Sequence, residues 1–89
     1  MRFAVLIPAY NEAKAIGPLV NAVRQKGYDV IVVDDGSADK TGEIARSQGA
    51  EVLTNDPRRG KGASLQRGFD HVLERGYDRG RCRRLRKRR

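Results

Sequence analysis

Eighty-nine residues with one cysteine make at most one domain and allow no intramolecular disulfide, and no apolar stretch approaches the ~20 residues that cross a membrane as a helix. The net charge of +8 belongs to one end: residues 1–78 hold 11 Lys/Arg and 11 Asp/Glu, and the eight excess cations lie between Arg79 and Arg89. A pI near 10.4 therefore describes a tail on an electroneutral body, and overall basicity says nothing about what that body binds.

Three apolar runs of strand length alternate with three amphipathic segments of helical length, the signature of βαβ units. The first strand runs from about Arg2 to Pro8. The following helix begins near Ile16 to Pro18, a proline being tolerated in a first turn, with Leu19, Val20 and Val23 inward and Gly27 as its stop. Val30 to Val33 form a second strand, continuous in β-branched residues as befits a parallel sheet covered on both faces. A second helix spans about Thr41 to Gln48, with Asp39 placed to cap it and Gly49 to end it. Glu51 to Leu53 make a short third strand, and a third helix over about Ala63 to Arg75 turns Leu65, Phe69, Val72 and Leu73 inward before Gly76. The fold class is α/β, a three-layer parallel-sheet βαβαβα unit.

The rhythm calls for a fourth buried strand after Tyr77-Asp78. Eight like charges in eleven residues arrive instead, which predicts residues 1–78 as a domain and 79–89 as a disordered basic tail. Cys82 lies in that tail, so a reducing, cytoplasmic setting is expected. The opening Met1 to Ile7 ends in Pro-Ala-Tyr-Asn-Glu rather than a small-residue cleavage site, and is read as a buried strand rather than a signal peptide.

The chemistry gathers at the strand ends, where open parallel sheets hold their ligands. Asp34 and Asp35 leave the second strand before Gly36-Ser37; one carboxylate can accept a base N–H while the other organises the loop or a nearby cation, the alternative being a turn-forming, helix-capping cluster. Pro8, Tyr10, Asn11 and Glu12 leave the first strand at the same edge. Tyr10 can lie against a base and Glu12 can reach a ribose hydroxyl, or Pro8 simply ends the strand and Asn11 turns the chain. Arg58-Arg59-Gly60-Lys61-Gly62 leads into the third helix, where free N–H groups suit a diphosphate, or is a solvated basic loop. Its spacing is neither a Walker motif, since Asn55 stands where glycine is required, nor a dinucleotide fingerprint, since Leu65 does. His71 is a helical residue with no second His or nearby Cys, which leaves no zinc site and no Ser-His-Asp set.

Leu6-Ile-Pro-Ala-Tyr-Asn-Glu12, Val32-Val-Asp-Asp-Gly-Ser37 with Asp39 and Thr41, and Asn55 leading to Gly60-Lys-Gly-Ala63 with Gly68, together resemble the N-terminal part of family 2 glycosyltransferases, among them the dolichol- and polyprenyl-phosphate sugar transferases. The resemblance covers residues 3–78. It implies the N-terminal part of a GT-A fold, with Pro8, Tyr10 and Glu12 at the base and ribose of a UDP- or GDP-sugar, Asp35 accepting from the base, Asp34 supporting it, and Lys61 near the diphosphate. A polyprenyl phosphate acceptor would place the protein peripherally on the inner face of the membrane. The family also implies Mg²⁺ or Mn²⁺ held by an Asp-x-Asp after the fourth strand, and no Asp-x-Asp occurs in this sequence.

Without those ligands and the acceptor half, the 89-residue chain is expected to transfer no sugar alone. A single inserted base in a GC-rich Asp-Ala-Val-Val segment would read Arg-Gly-Arg, so a frameshifted, truncated transferase is one hypothesis for residues 79–89, tested by resequencing the coding DNA. The competing class is a non-catalytic module whose tail engages nucleic acid or an anionic membrane; its lack of aromatics and the neutral domain before it weigh against nucleic acid. The receiver fold has its Asp pair at strand one, whereas here the pair follows strand two.

Overall fold

The computed structural model describes residues 4–75 and the backbone of residues 82–84. The elements in order are β1 (Ala4–Ala9), α1 (Ala13–Gln25), β2 (Asp29–Asp34), α2 (Thr41–Ser47), β3 (Glu51–Thr54), α3 (Lys61–Glu74) and β4 (Cys82–Arg84). All strand pairs are parallel, in the order β3-β2-β1-β4.

The chain steps outward from β1 to β3 and then returns to the far side of β1. Crossovers of one hand taken in opposite directions put their helices on opposite faces. Thus α1 and α2 cover Val5, Ile7, Val30 and Val32, while α3 covers Ala4, Leu6, Ile31 and Val33. Alternate residues of each strand feed alternate faces, which is why β1 and β2 are apolar throughout. Each large aliphatic side chain removed from water on either face contributes about 1.5–3 kcal/mol.

Every predicted strand and helix forms, with ends displaced by a few residues. Helix α1 begins at Ala13, so Pro18 is its sixth residue rather than part of its first turn, and its ring sits on the exposed side. The buried stripe of α1 is Ile16, Gly17, Val20 and Val23, and that of α3 is Ser64, Leu65, Gly68 and Val72. Leu19 and Leu73, expected inward, are each 38% exposed, and Phe69 is only half-buried. Small residues hold the inward positions because the layers approach closely there. A Cβ on Gly68 would lie 2.3 Å from Leu6 Cδ1.

Pro8 was expected to end the first strand but lies within β1, opposite Val33. The Asp35 N–H donates to the Ala9 carbonyl, so Ala9 bonds toward β2 and Pro8, one residue earlier, faces the other edge. There the ladder to β4 reaches only Ala4–Leu6, so Pro8's missing N–H breaks no ladder bond among the described residues.

The expectation that no strand follows Asp78 is corrected by β4. Residues Cys82–Arg84 pair with Ala4–Leu6 through the backbone. Pairing to an open strand needs only N–H and C=O groups, which a basic sequence carries as well as an apolar one. The rest of the segment assigned to the tail lies outside the described residues.

Candidate functional site

Register decides the site. Ala9, Asp34 and Thr54 stand side by side in three parallel strands, so the residues that follow them, Tyr10, Asp35 and Asn55, leave the sheet at one level. The ladder continues one step beyond the strands, with Asp35 N–H to Ala9 O and Asn55 N–H to Asp34 O both at 2.8 Å.

The loops after β1 and β2 are clasped together. Asn11, at φ +51°, donates its N–H to Ser37 Oγ at 2.9 Å and accepts the Ala38 N–H on Oδ1 at 2.9 Å. A short-chain amide residue tolerates that left-handed conformation better than most. The Glu12 N–H donates to Thr41 Oγ1 at 2.9 Å, and Asp39 accepts the N–H groups of Ala13 and Thr41, at 3.2 and 3.0 Å. Asp39 therefore serves the first turns of both α1 and α2, and the Thr41 hydroxyl bond, with the backbone donors, holds its carboxyl below the ordinary value. Ser37, Asp39 and Thr41, although part of the recognisable motif, are thus scaffold.

Both carboxylates at the end of β2 are buried, Asp34 at 7% and Asp35 at 4% exposure. Asp34 accepts the Ser37 N–H on Oδ1 at 3.1 Å and turns Oδ2 toward α2, where a Cβ on Gly42 would come within 2.8 Å of it. Asp35 turns toward the loop after β3. Its Oδ1 accepts the Arg59 N–H at 2.7 Å and the Asn55 amide at 3.0 Å, its Oδ2 accepts the Gly60 N–H at 2.9 Å, and Arg58 Nε stands 3.4 Å from Oδ2. Burial alone would raise its pKa. Donors from Arg59, Asn55, Gly60 and Ser64 outweigh that penalty and hold the carboxyl at about 2.

The basic loop does hold an anion on its backbone N–H groups, and that anion is Asp35. Arg58 extends from the same loop across the Tyr10 ring, its guanidinium carbon 3.8 Å from the ring centre. Tyr10, Asp35 and Arg58 thus share one place. Lys61 opens α3 directly after Gly60 and is exposed, and Glu12 is half-buried at the start of α1.

Sequence reasoning gave Asn55 and Ser64 no role. Asn55, 1% exposed, donates to Asp35 Oδ1 and, at 2.9 Å, to Ser64 Oγ, and accepts from Arg67 Nη1 at 2.6 Å. Its position directly after a strand, equivalent to that of Asp35 after β2, was the available signal. The described residues contain no group of three or more His, Cys, Asp or Glu able to hold a metal ion. With Asp34 and Asp35 each facing donors of their own chain, the described residues do not fit a divalent cation.

An undecaprenyl-phosphate mannosyltransferase of Micrococcus luteus is 41% identical over 88% of this chain and 35% of its own length. An uncharacterized protein of Methanocaldococcus jannaschii is 45% identical over 78% of this chain and 29% of its own. The solved glucosyl-3-phosphoglycerate synthase of Mycobacterium tuberculosis, in complex with Mn²⁺, UDP and glucosyl-3-phosphoglycerate, superposes with a TM-score of 0.70 at 28% identity, over 79% of this chain and 29% of that one. This chain thus spans about a third of the length of these relatives, and its strands and helices are those of the N-terminal part of a GT-A fold. The family model described as "Glycosyl transferase family 2" matches residues 4–75, the same stretch that builds the clasped strand ends, and the chain belongs to that family.

Proposed function

We propose that this chain is the nucleotide-binding part of a glycosyltransferase that takes its sugar from a UDP- or GDP-sugar. The observation that supports this most directly is the common end of β1, β2 and β3, where an aromatic face, a buried ionised carboxylate and a basic loop converge. In this reading Tyr10 stacks on the base beside Pro8, Asp35 accepts a base N–H, and Asp34 fixes the loop that presents Asp35. Glu12 meets a ribose hydroxyl and Lys61 the diphosphate.

The glucosyl-3-phosphoglycerate synthase of Mycobacterium tuberculosis is described with Mn²⁺ in one solved structure and with Mg²⁺ in another. A divalent cation in the whole protein would neutralise charge on the leaving diphosphate, and since the described residues do not fit one, no step of transfer is assigned to them. The 89-residue chain accordingly binds nucleotide without transferring sugar. The mannosyltransferase relative supports a polyprenyl phosphate acceptor, and hence work at a membrane surface. No helix among the described residues is long and apolar enough to cross a membrane.

Calorimetric titration of the 89-residue chain with UDP, GDP and CDP tests the reading. UDP or GDP should bind, and CDP more weakly, because cytosine presents a ring acceptor where uracil presents an N–H. Equal binding of all three would remove Asp35 from base recognition; binding of none would refute the reading, and multiple-turnover transfer by the chain would refute its inactivity.

A further inference from the structure

The guanidinium of Arg58 stands where the proposed reading puts a base. It is planar, it lies over the Tyr10 ring at 3.8 Å, and its Nε stands 3.4 Å from Asp35 Oδ2 as an ion pair. A pyrimidine or purine with a ring N–H would occupy the same two places, with a flat face against Tyr10 and its N–H toward Asp35.

The other acceptor directions of Asp35 are taken by fixed groups. Oδ1 is shared by the Arg59 N–H and the buried Asn55 amide, and Oδ2 already accepts the Gly60 N–H. The Ser64 hydroxyl also faces the carboxylate, and all four of these groups are held within the fold, so the place of the exposed Arg58 side chain is the one a ligand can take without dismantling the loop. Arg58 can leave. Its side chain is 57% exposed, and it gives up one long ion pair and one stacked contact, whereas the loop backbone can stay on Asp35.

We propose that Arg58 is an intramolecular stand-in for the nucleobase, which must swing off Tyr10 and Asp35 before a base can enter. This rests on the nucleotide-binding reading. It makes Arg58 a selectivity residue: a base lacking a ring N–H meets the cost of displacing the Arg58 ion pair and ring contact without gaining a hydrogen bond to Asp35.

The test uses uridine beside UDP, because uridine carries no phosphate for a freed arginine to attract. Calorimetric titrations would compare the 89-residue chain with Arg58→Ala and Arg58→Lys, each checked for unchanged circular dichroism. Arg58→Ala should bind uridine about fivefold more tightly than the parent chain, the scale of one exposed cation–π contact and one exposed ion pair. Arg58→Lys, which keeps the charge but loses the planar donor, should shift affinity in the same direction. Uridine affinity unchanged or weaker in both variants, while the parent binds UDP, overturns the stand-in and leaves the nucleotide reading in place; that pattern with weaker UDP binding would make Arg58 a diphosphate ligand. No binding of UDP or uridine by any of the three chains overturns both.

Discussion

Asn55 ties three elements together without touching solvent, and its replacement should reveal how much of the site's order depends on one amide. The Asn55→Ala variant loses the bond to the Asp35 carboxylate, the bond to Ser64 and the bond from Arg67. A hydrogen bond to a charged group is worth about 1.5–3 kcal/mol and a neutral one about 1 kcal/mol. Arg67 is exposed and can turn to water, so its share is small. The expected loss is about 3 kcal/mol.

The near-isosteric Asn55→Asp separates hydrogen bonding from packing. It puts a second carboxylate where the Asn55 amide now stands 3.0 Å from Asp35 Oδ1, turning attraction into repulsion in a nearly dry position. At about pH 7 it should cost at least as much as Asn55→Ala. At about pH 5 it should recover part of that loss, because one of two crowded carboxyls then takes up a proton and can donate to the other. Urea unfolding followed by far-UV circular dichroism measures both variants. At a slope of about 1 kcal/mol/M for a small domain, the midpoint should fall by about 3 M or the fold be lost outright. An Asn55→Asp chain within about 0.5 kcal/mol of the parent at both pH values would refute the hub.

Further outcomes follow from the packing and the charges. Gly68→Ala should destabilise by about 1–2 kcal/mol in the same urea assay, because the new methyl meets Leu6 and outweighs the better helix propensity of alanine. Gly42→Ala should likewise destabilise by pressing on Asp34 Oδ2, whereas Gly62→Ala, with nothing within 4 Å, should gain about 0.5–1 kcal/mol. Asp35 has a folded pKa of about 2 against an ordinary 3.8, so its contribution is present above about pH 4 and is lost as pH falls toward 2. By linkage that contribution is at most about 2.5 kcal/mol. Asp35→Asn should flatten the acid limb of the stability profile across that window, and an unchanged limb would show that the carboxylate is not held in this way.

The sequence by itself determined the order of elements and the edge at which the chemistry sits. Continuous β-branched runs, glycines after each helix and polar residues at the strand ends are local signals, and local geometry is what a chain's own periodicity encodes. The inward faces were less legible. Leu19 and Leu73 are as apolar as Val20 and Val72, and only the approach of the layers, close enough to demand Gly17 and Gly68, selects which of them is buried. Strand β4 was hidden because composition reports side chains, while an open strand recruits backbone. The roles within the site were set by tertiary structure. Asp35 meets Arg59 and Gly60 across 24 and 25 residues, Asn11 meets Ser37 across 26, and Asn55 meets Asp35 across 20. Parallel register brings these groups to one level, and no spacing along the chain distinguishes an anion supplied by a ligand from one supplied by the protein's own carboxylate.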